Sequence, residues 1–161
     1  MPFNFFRKKK PSRLVEGDAI QVVPIKSLDY PPKIILAWAK AVEGKKEFLD
    51  WLRDNGYPEL HAACAAIKLN EKSRIWLMDN GYPHLLAFIQ AAESKKSAMR
   101  WLENNNFHLL IQMAKSIDGD KDALLWIQKN QPVDIYILTM AIKVVKIILK
   151  ITTMMYIFTN N

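Results

Sequence analysis

Large apolar residues recur along this chain with a period of 25 residues. One column consists of tryptophans: Trp51, Trp76, Trp101 and Trp126. The residue after each tryptophan is aliphatic, which gives a second column: Leu52, Leu77, Leu102 and Ile127. Asparagines come four residues after each tryptophan, and leucine or isoleucine comes nine residues after it. Self-similarity at a fixed period indicates a repeat architecture, so the chain is predicted to repeat one structural unit.

Each unit is predicted to contain two short helices. Apolar residues at helical spacing, such as Phe48, Trp51 and Leu52, define one face of the helix that carries the tryptophan. Glycine, and to a lesser degree asparagine, adopts the left-handed conformation that ends a helix. The predicted helix stops are Gly56, Gly81 and Asn106. Pro58 and Pro83 suit the first turn of the next helix. The fourth repeat has Gln131 at the stop, so this junction is predicted to be the least regular.

A second break is predicted inside each unit. It falls near the following residues: Gly44, Asn70, Ser94 and Gly119. Asn70 and Asp120 are expected to be N-caps, which accept hydrogen bonds from the free amides of the following helix. Helices of two to three turns are not stable alone. The unit is therefore a helical hairpin whose stability comes from stacking on its neighbours.

The tryptophans are predicted to form the interior between neighbouring hairpins, together with the aliphatic column beside them. Burial of a large aromatic once per unit supplies much of the packing energy of such a stack. The alternative is a row of exposed rings on which bases or a choline-like cation would stack. The adjoining aliphatic column favours burial.

These patterns predict an all-α fold, a solenoid of about four 25-residue helical hairpins with a divergent C-terminal cap. Residues 1–29 are assigned to a basic tail and an extended N-terminal cap, 30–131 to the repeats, and 132–161 to a divergent fifth repeat. Lys143, Lys146 and Lys150 are expected on the solvated side of that cap. The cap also has more apolar residues than one packed face needs, which marks a contact surface. The candidate partner surface comprises Ile151, Met154, Met155, Ile157 and Phe158.

The helical part of the repeat resembles the ankyrin family. The resemblance covers roughly residues 33–131 and rests on small residues in the first helix, a turn glycine such as Gly44, paired large apolar residues in the second helix, and a terminal glycine such as Gly56. Ankyrin units have about 33 residues, so the projecting β-hairpin finger would be missing here. The resemblance implies a protein-binding scaffold whose partner surface lies on the helices.

Charge is concentrated at the two ends of the chain. The net charge is +7, but residues 14–134 carry 15 basic and 16 acidic groups, which disfavours a basic nucleic-acid-binding body. The N-terminal candidates for contact with a membrane or a polyanion are Phe3, Phe5, Phe6, Arg7, Lys8, Lys9 and Lys10. This segment fits a disordered start, a peripheral contact with an anionic membrane, or a tail that binds nucleic acid.

Residues suited to catalysis are sparse. His61, His84 and His108 occupy different columns of the repeat, and Cys64 lies among alanines without a motif that would activate it. We therefore expect no enzyme activity, no cofactor and no metal, and a lone cysteine favours a reducing, cytoplasmic location. The predicted function is a protein-interaction scaffold or adaptor, held near a membrane by its N-terminus in one variant of this hypothesis. Self-association through the C-terminal segment is a further expectation, and a nucleic-acid-binding helical repeat protein is the alternative.

Overall fold

The computed structural model describes residues 28–160, and this part of the chain is helical without any strand. The predictions for the N-terminal tail, including Phe3 to Lys10, concern residues outside this range. The helices are α1 Pro32–Val42, α2 Lys46–Asp54, α3 Pro58–Ile67, α4 Glu71–Asp79, α5 Pro83–Ala91, α6 Lys96–Asn104, α7 His108–Asp118, α8 Lys121–Asn130 and α9 Val133–Thr159. The first eight helices form four hairpins, which confirms the all-α repeat arrangement.

The helices form an inner and an outer layer. The odd-numbered helices contact one another in sequence and hold most of the buried side chains, whereas the even-numbered helices cover them from outside. Consecutive outer helices are not in contact with one another within residues 28–160. Small residues such as Ala63 and Ala66 in α3 are fully buried and allow the inner helices to approach closely.

The ends of the repeat array meet. Helix α9 packs on α7, as the next repeat would, and it also packs extensively along α1 and touches α3. In a linear solenoid each repeat contacts only its neighbours. Here α9 closes the inner layer by joining the last hairpin to the first.

The junctions between hairpins have the helix stops that the sequence predicts. Gly56, Gly81 and Asn106 all have positive φ angles, of +89°, +86° and +60°. The junction at Gln131 differs, because this residue is extended, with φ −121° and ψ 154°. The fourth junction is therefore the irregular one, as its residue type indicates.

The repeated asparagines have a capping role that the sequence analysis did not assign. The side-chain amide of Asn55 donates a 2.8 Å hydrogen bond to the carbonyl oxygen of Trp51, and the same bond is present at Asn80, Asn105 and Asn130. The same carbonyl oxygen also accepts the backbone N–H of Asn55 at 3.0 Å, and this pair of bonds recurs at Asn80 and Asn105, so the side-chain amide is a second donor that holds the last turn of the helix. A structural need at each helix end therefore accounts for the asparagine column.

The turns inside the hairpins also repeat every 25 residues. The left-handed residues are Gly44, Leu69, Ser94 and Gly119. Asn70 follows its turn and accepts a hydrogen bond from the amide of Ser73, and Asp120 accepts from two amides of α8. Both predicted N-caps are confirmed.

The prediction that the tryptophans form the interior is wrong for Trp51 and Trp126, which are 41% and 37% exposed. Trp76 and Trp101 are half-buried and pack against the edge of the core. The interior is supplied by the aliphatic column, whose members are fully buried: Leu52, Leu77, Leu102 and Ile127. Adjacent residues on a helix point about 100° apart, so burial of the leucine leaves the indole at the edge of the interface.

Candidate interaction surface

The outer faces of the first three junctions are covered by stacked aromatic pairs. Trp51 stacks on Tyr57 with ring centroids 6.2 Å apart, Trp76 on Tyr82 at 6.0 Å, and Trp101 on Phe107 at 5.6 Å. In the fourth repeat the equivalent of Tyr57 is Pro132. The first three indoles are thus partly covered by an aromatic ring of their own repeat, which accounts for tryptophan at these positions without full burial.

Helix α9 is fixed to the body through an ionic cluster at its middle. The ammonium group of Lys146 donates a 2.6 Å hydrogen bond to the carbonyl oxygen of Ile67 at the end of α3, and it also binds the carboxylate of Glu93. Arg74 forms a bidentate pair with the same carboxylate at 2.5 and 3.0 Å. Arg74 also donates to the carbonyl oxygen of Ala66. The cluster therefore joins α9 to α3, α4 and the end of α5.

Lys146 is buried, so its expected place on a solvated face is wrong. Burial by itself raises the pKa of Glu93, but the hydrogen bonds from Arg74 and Lys146 outweigh it and hold that pKa below its usual value. Burial lowers the pKa of Lys146, against the opposing effect of Glu93. A buried charge needs a partner with hydrogen-bonding geometry, and Glu93 and Ile67 provide partners at only one rotation of α9. The lysine thereby sets which face of the helix points outward.

The face of α9 opposite the body carries an apolar stripe that is mostly unpartnered, with Ile137 as the member that packs against the core. The buried residues of the helix, which include Ile135, Leu138, Ile142 and Lys146, mark the face that packs on the body. On the opposite face apolar residues are separated alternately by four and three positions. This outer seam consists of Val133, Ile137, Met140, Val144, Ile147, Ile151, Met154 and Phe158. Six of these residues are exposed, from 45% at Ile147 to 79% at Phe158.

The structure places the five predicted partner-surface residues at the free end of α9. All are exposed, and three of them, Ile151, Met154 and Phe158, belong to the outer seam. Met155 and Ile157 lie beside it. Every residue from Ile151 to Asn160 is exposed, so about two and a half turns of the helix extend past the body. The alternating spacing is present in the sequence, but it is obscured there because the apolar residues of both faces form one nearly continuous run.

Cys64 and the nearby His61 lack the features of an activated nucleophile and its base. Burial raises the pKa of the Cys64 thiol to about 12, whereas reactive cysteines have lowered values. Burial lowers the pKa of His61, three residues away. Among residues 28–160 no three histidine, cysteine or acidic side chains are grouped as metal ligands would be. In the same range no helix combines the length and the apolar character needed to cross a bilayer.

Comparison of the chain with protein-family models, with curated proteins and with solved structures gives no match.

Proposed function

We propose that this protein is a non-enzymatic scaffold or adaptor, built from ankyrin-like helical hairpins without a finger, that binds other proteins through the outer seam of α9. The observation that carries this proposal is the seam itself, an apolar stripe that runs along the whole helix and is mostly exposed. Contiguous apolar surface of this kind marks interaction sites. The proposed location is the cytoplasm.

The closed arrangement of the repeats supports this choice of surface. The inner helices are buried, and α9 uses one face to close the layer that they form. Apart from Ile137, which packs against the core, its other face contributes little to holding the fold together. The fold does not require this face to be apolar, so contact with another molecule is the best explanation for its apolar character.

Site-specific photo-crosslinking in an extract of the native cells tests the proposal. A photoreactive residue at Ile151 should give discrete adducts with a protein chain, because the side chain lies in the seam. The matched control is the same residue at Thr152, which is exposed on the next position of the helix and points away from the seam. Equal adduct patterns from the two positions, or none from Ile151, would refute the seam as the binding element.

In the same proposal the N-terminal basic and aromatic segment adds a contact with an anionic membrane surface. Each Lys or Arg near such a surface contributes about 1 kcal/mol. Full-length protein should co-sediment with anionic vesicles, and deletion of residues 1–13 should remove that binding. Salt-sensitive binding to nucleic acid that disappears with the same deletion would favour the alternative function.

A further inference from the structure

We infer that the outer seam of α9 pairs with the same seam of a second copy of this chain, as a parallel, in-register, two-stranded coiled coil. The inference rests on the proposed function and names the partner of its surface. The seam residues follow a heptad pattern, with Ile137, Val144, Ile151 and Phe158 at position a and Val133, Met140, Ile147 and Met154 at position d. This alternation of three and four is the pattern of a helix that packs against another helix.

Six of the eight seam residues are open to a second copy, whereas Ile137 and Met140 are half-buried and Ile137 packs against the core. The body packs against the opposite face of α9, so a partner helix approaches from the free side and the two bodies lie on opposite sides of the pair. From Val133 to Phe158 the seam is about 38 Å long, or almost four heptads.

The exposed apolar area suits a stable dimer. The six exposed seam residues have accessible fractions between 45% and 79%. With about 150 Å² for a fully exposed side chain, the lower end of the range for aromatic residues, they offer about 500 Å² per chain. Stable protein interfaces bury about 800 Å² per partner. Residues beside the seam, such as Ile148 and Met155, add to this area because they are also exposed.

The residue types at the a positions are those of two parallel strands. Three of the four a positions are β-branched: Ile137, Val144 and Ile151. In parallel coiled coils, β-branched residues at a favour the two-stranded form when an unbranched-Cβ residue occupies d, as Met140 and Met154 do here, while Val133 and Ile147 at d act in the other direction. The two helices can pair in register from their first turn, because Val133, at the first d position, is exposed as well.

The flanking charges also favour the parallel orientation. Lys143 and Lys150 occupy g positions, while Ile148 and Met155 occupy e positions. In a parallel pair g faces e of the partner, so each lysine stem covers an apolar side chain while its ammonium group stays outside the interface, where that of Lys150 lies 3.9 Å from Asp118 Oδ1. In an antiparallel pair g faces g, which brings the lysines of the two copies together. Like charges at that distance repel.

Sedimentation equilibrium of the full chain gives the first test. The wild-type protein should have twice the 18.6 kDa mass of one chain at micromolar concentration. Ile151→Glu places a charge inside the seam, where the partner helix would bury it, and should shift the protein to the monomer mass. Thr152→Glu adds the same charge one position away, outside the seam, and should remain dimeric. Circular dichroism checks that both variants keep the helical fold.

Disulfide formation tests orientation and register. Ile151→Cys should form an intermolecular disulfide under mild oxidation, because parallel in-register strands bring this position close to its own copy. Thr152→Cys is the matched control and should stay monomeric on a non-reducing gel. Cys64 is the one native cysteine and is buried, so it gives little background.

The outcomes separate this inference from the proposed function. A dimer in which Ile151→Cys does not crosslink would overturn the parallel in-register arrangement. A monomeric wild type whose position 151 crosslinks to a different protein would overturn the second copy as partner and leave the scaffold function standing. A monomer that binds phosphatidylcholine and phosphatidylserine vesicles, with binding lost in Ile151→Glu, would show that a lipid surface takes the place of the second copy and would overturn both.

Discussion

Stability of the fold between pH 7 and pH 5 should depend on His84. Its imidazole is 7% exposed and lies against Tyr82 and Phe107, the latter stacked with ring centroids 5.6 Å apart. Burial lowers the pKa of His84 from 6.5 to about 4. Between these two values the unfolded chain binds more protons than the folded one, so the free energy of unfolding decreases as the pH falls through this range.

The size of this effect follows from the two pKa values. Each pKa unit corresponds to about 1.4 kcal/mol, so the shift costs about 3 kcal/mol once the pH is below both values. At pH 5 most of the unfolded-state histidine is protonated and the folded-state histidine is not, which gives a loss of about 2 kcal/mol. At pH 7 the loss is close to zero. Tyr82 is neutral throughout this range, because burial raises its pKa to about 12.

Urea unfolding of the wild type and of His84→Leu at pH 7 and pH 5 measures the effect. The equivalent residue of the next repeat is Leu109, so leucine fits this position of the unit. Carboxylates contribute equally in both proteins, and the variant should lose about 2 kcal/mol less than the wild type between the two pH values. Equal m-values would show that both proteins expose the same surface. An identical pH dependence of the two proteins would refute the role of His84.

Three further predictions concern stability and reactivity. Leu69→Gly should stabilise the fold by about 1 kcal/mol in urea unfolding, because leucine is strained in the left-handed conformation at φ +70°. Gly44→Ala should destabilise the fold by a similar amount, because it introduces a side chain at φ +96°. Glu93→Ala should cost about 3 kcal/mol or more in urea unfolding because it leaves two cations without their carboxylate, and Lys146→Met should cost less. Cys64 should react with a thiol reagent only in urea, which mass spectrometry of the labelled protein would show, because burial raises its pKa to about 12.

The repeat period was sufficient to predict the hairpins, because local interactions fix their boundaries. The left-handed residues Gly56, Gly81 and Asn106 and the N-caps Asn70 and Asp120 act within a few residues of their own position. Such interactions join residues that are close in sequence, so the residue types in a short segment are enough to predict them. The position of the interior was less predictable. A column of tryptophans shows that the position is equivalent in each unit, but it does not show that the position is buried. Here it lies at the edge of the interface, where Trp51 stacks on Tyr57 and stays 41% exposed.

The candidate surface was predicted as a set of residues and not as a face. The excess of apolar residues at the end of the chain was enough to predict that Ile151, Met154 and Phe158 are exposed. The rotation of α9 depends instead on contacts between Lys146, Glu93 and Ile67, which are far apart in sequence. No local pattern around Lys146 distinguishes it from Lys143 or Lys150.

Lys146 connects two features of α9: one face of the helix closes the repeat array, and the opposite face presents the outer seam. If α9 turned by one residue on the body, about 100°, Lys146 would leave Glu93 and the carbonyl oxygen of Ile67, and the outer seam would rotate toward α1 or α7. A purely apolar contact between α9 and the body would tolerate such rotation more easily, because apolar packing is non-directional. The ionic cluster is therefore a better determinant of orientation than of stability.

Lys146→Met should therefore keep the fold but weaken the dimer, so that sedimentation equilibrium shows partial dissociation at a concentration where the wild type is fully dimeric. A Lys146→Met protein with undiminished self-association would show that apolar packing alone sets the face that α9 presents.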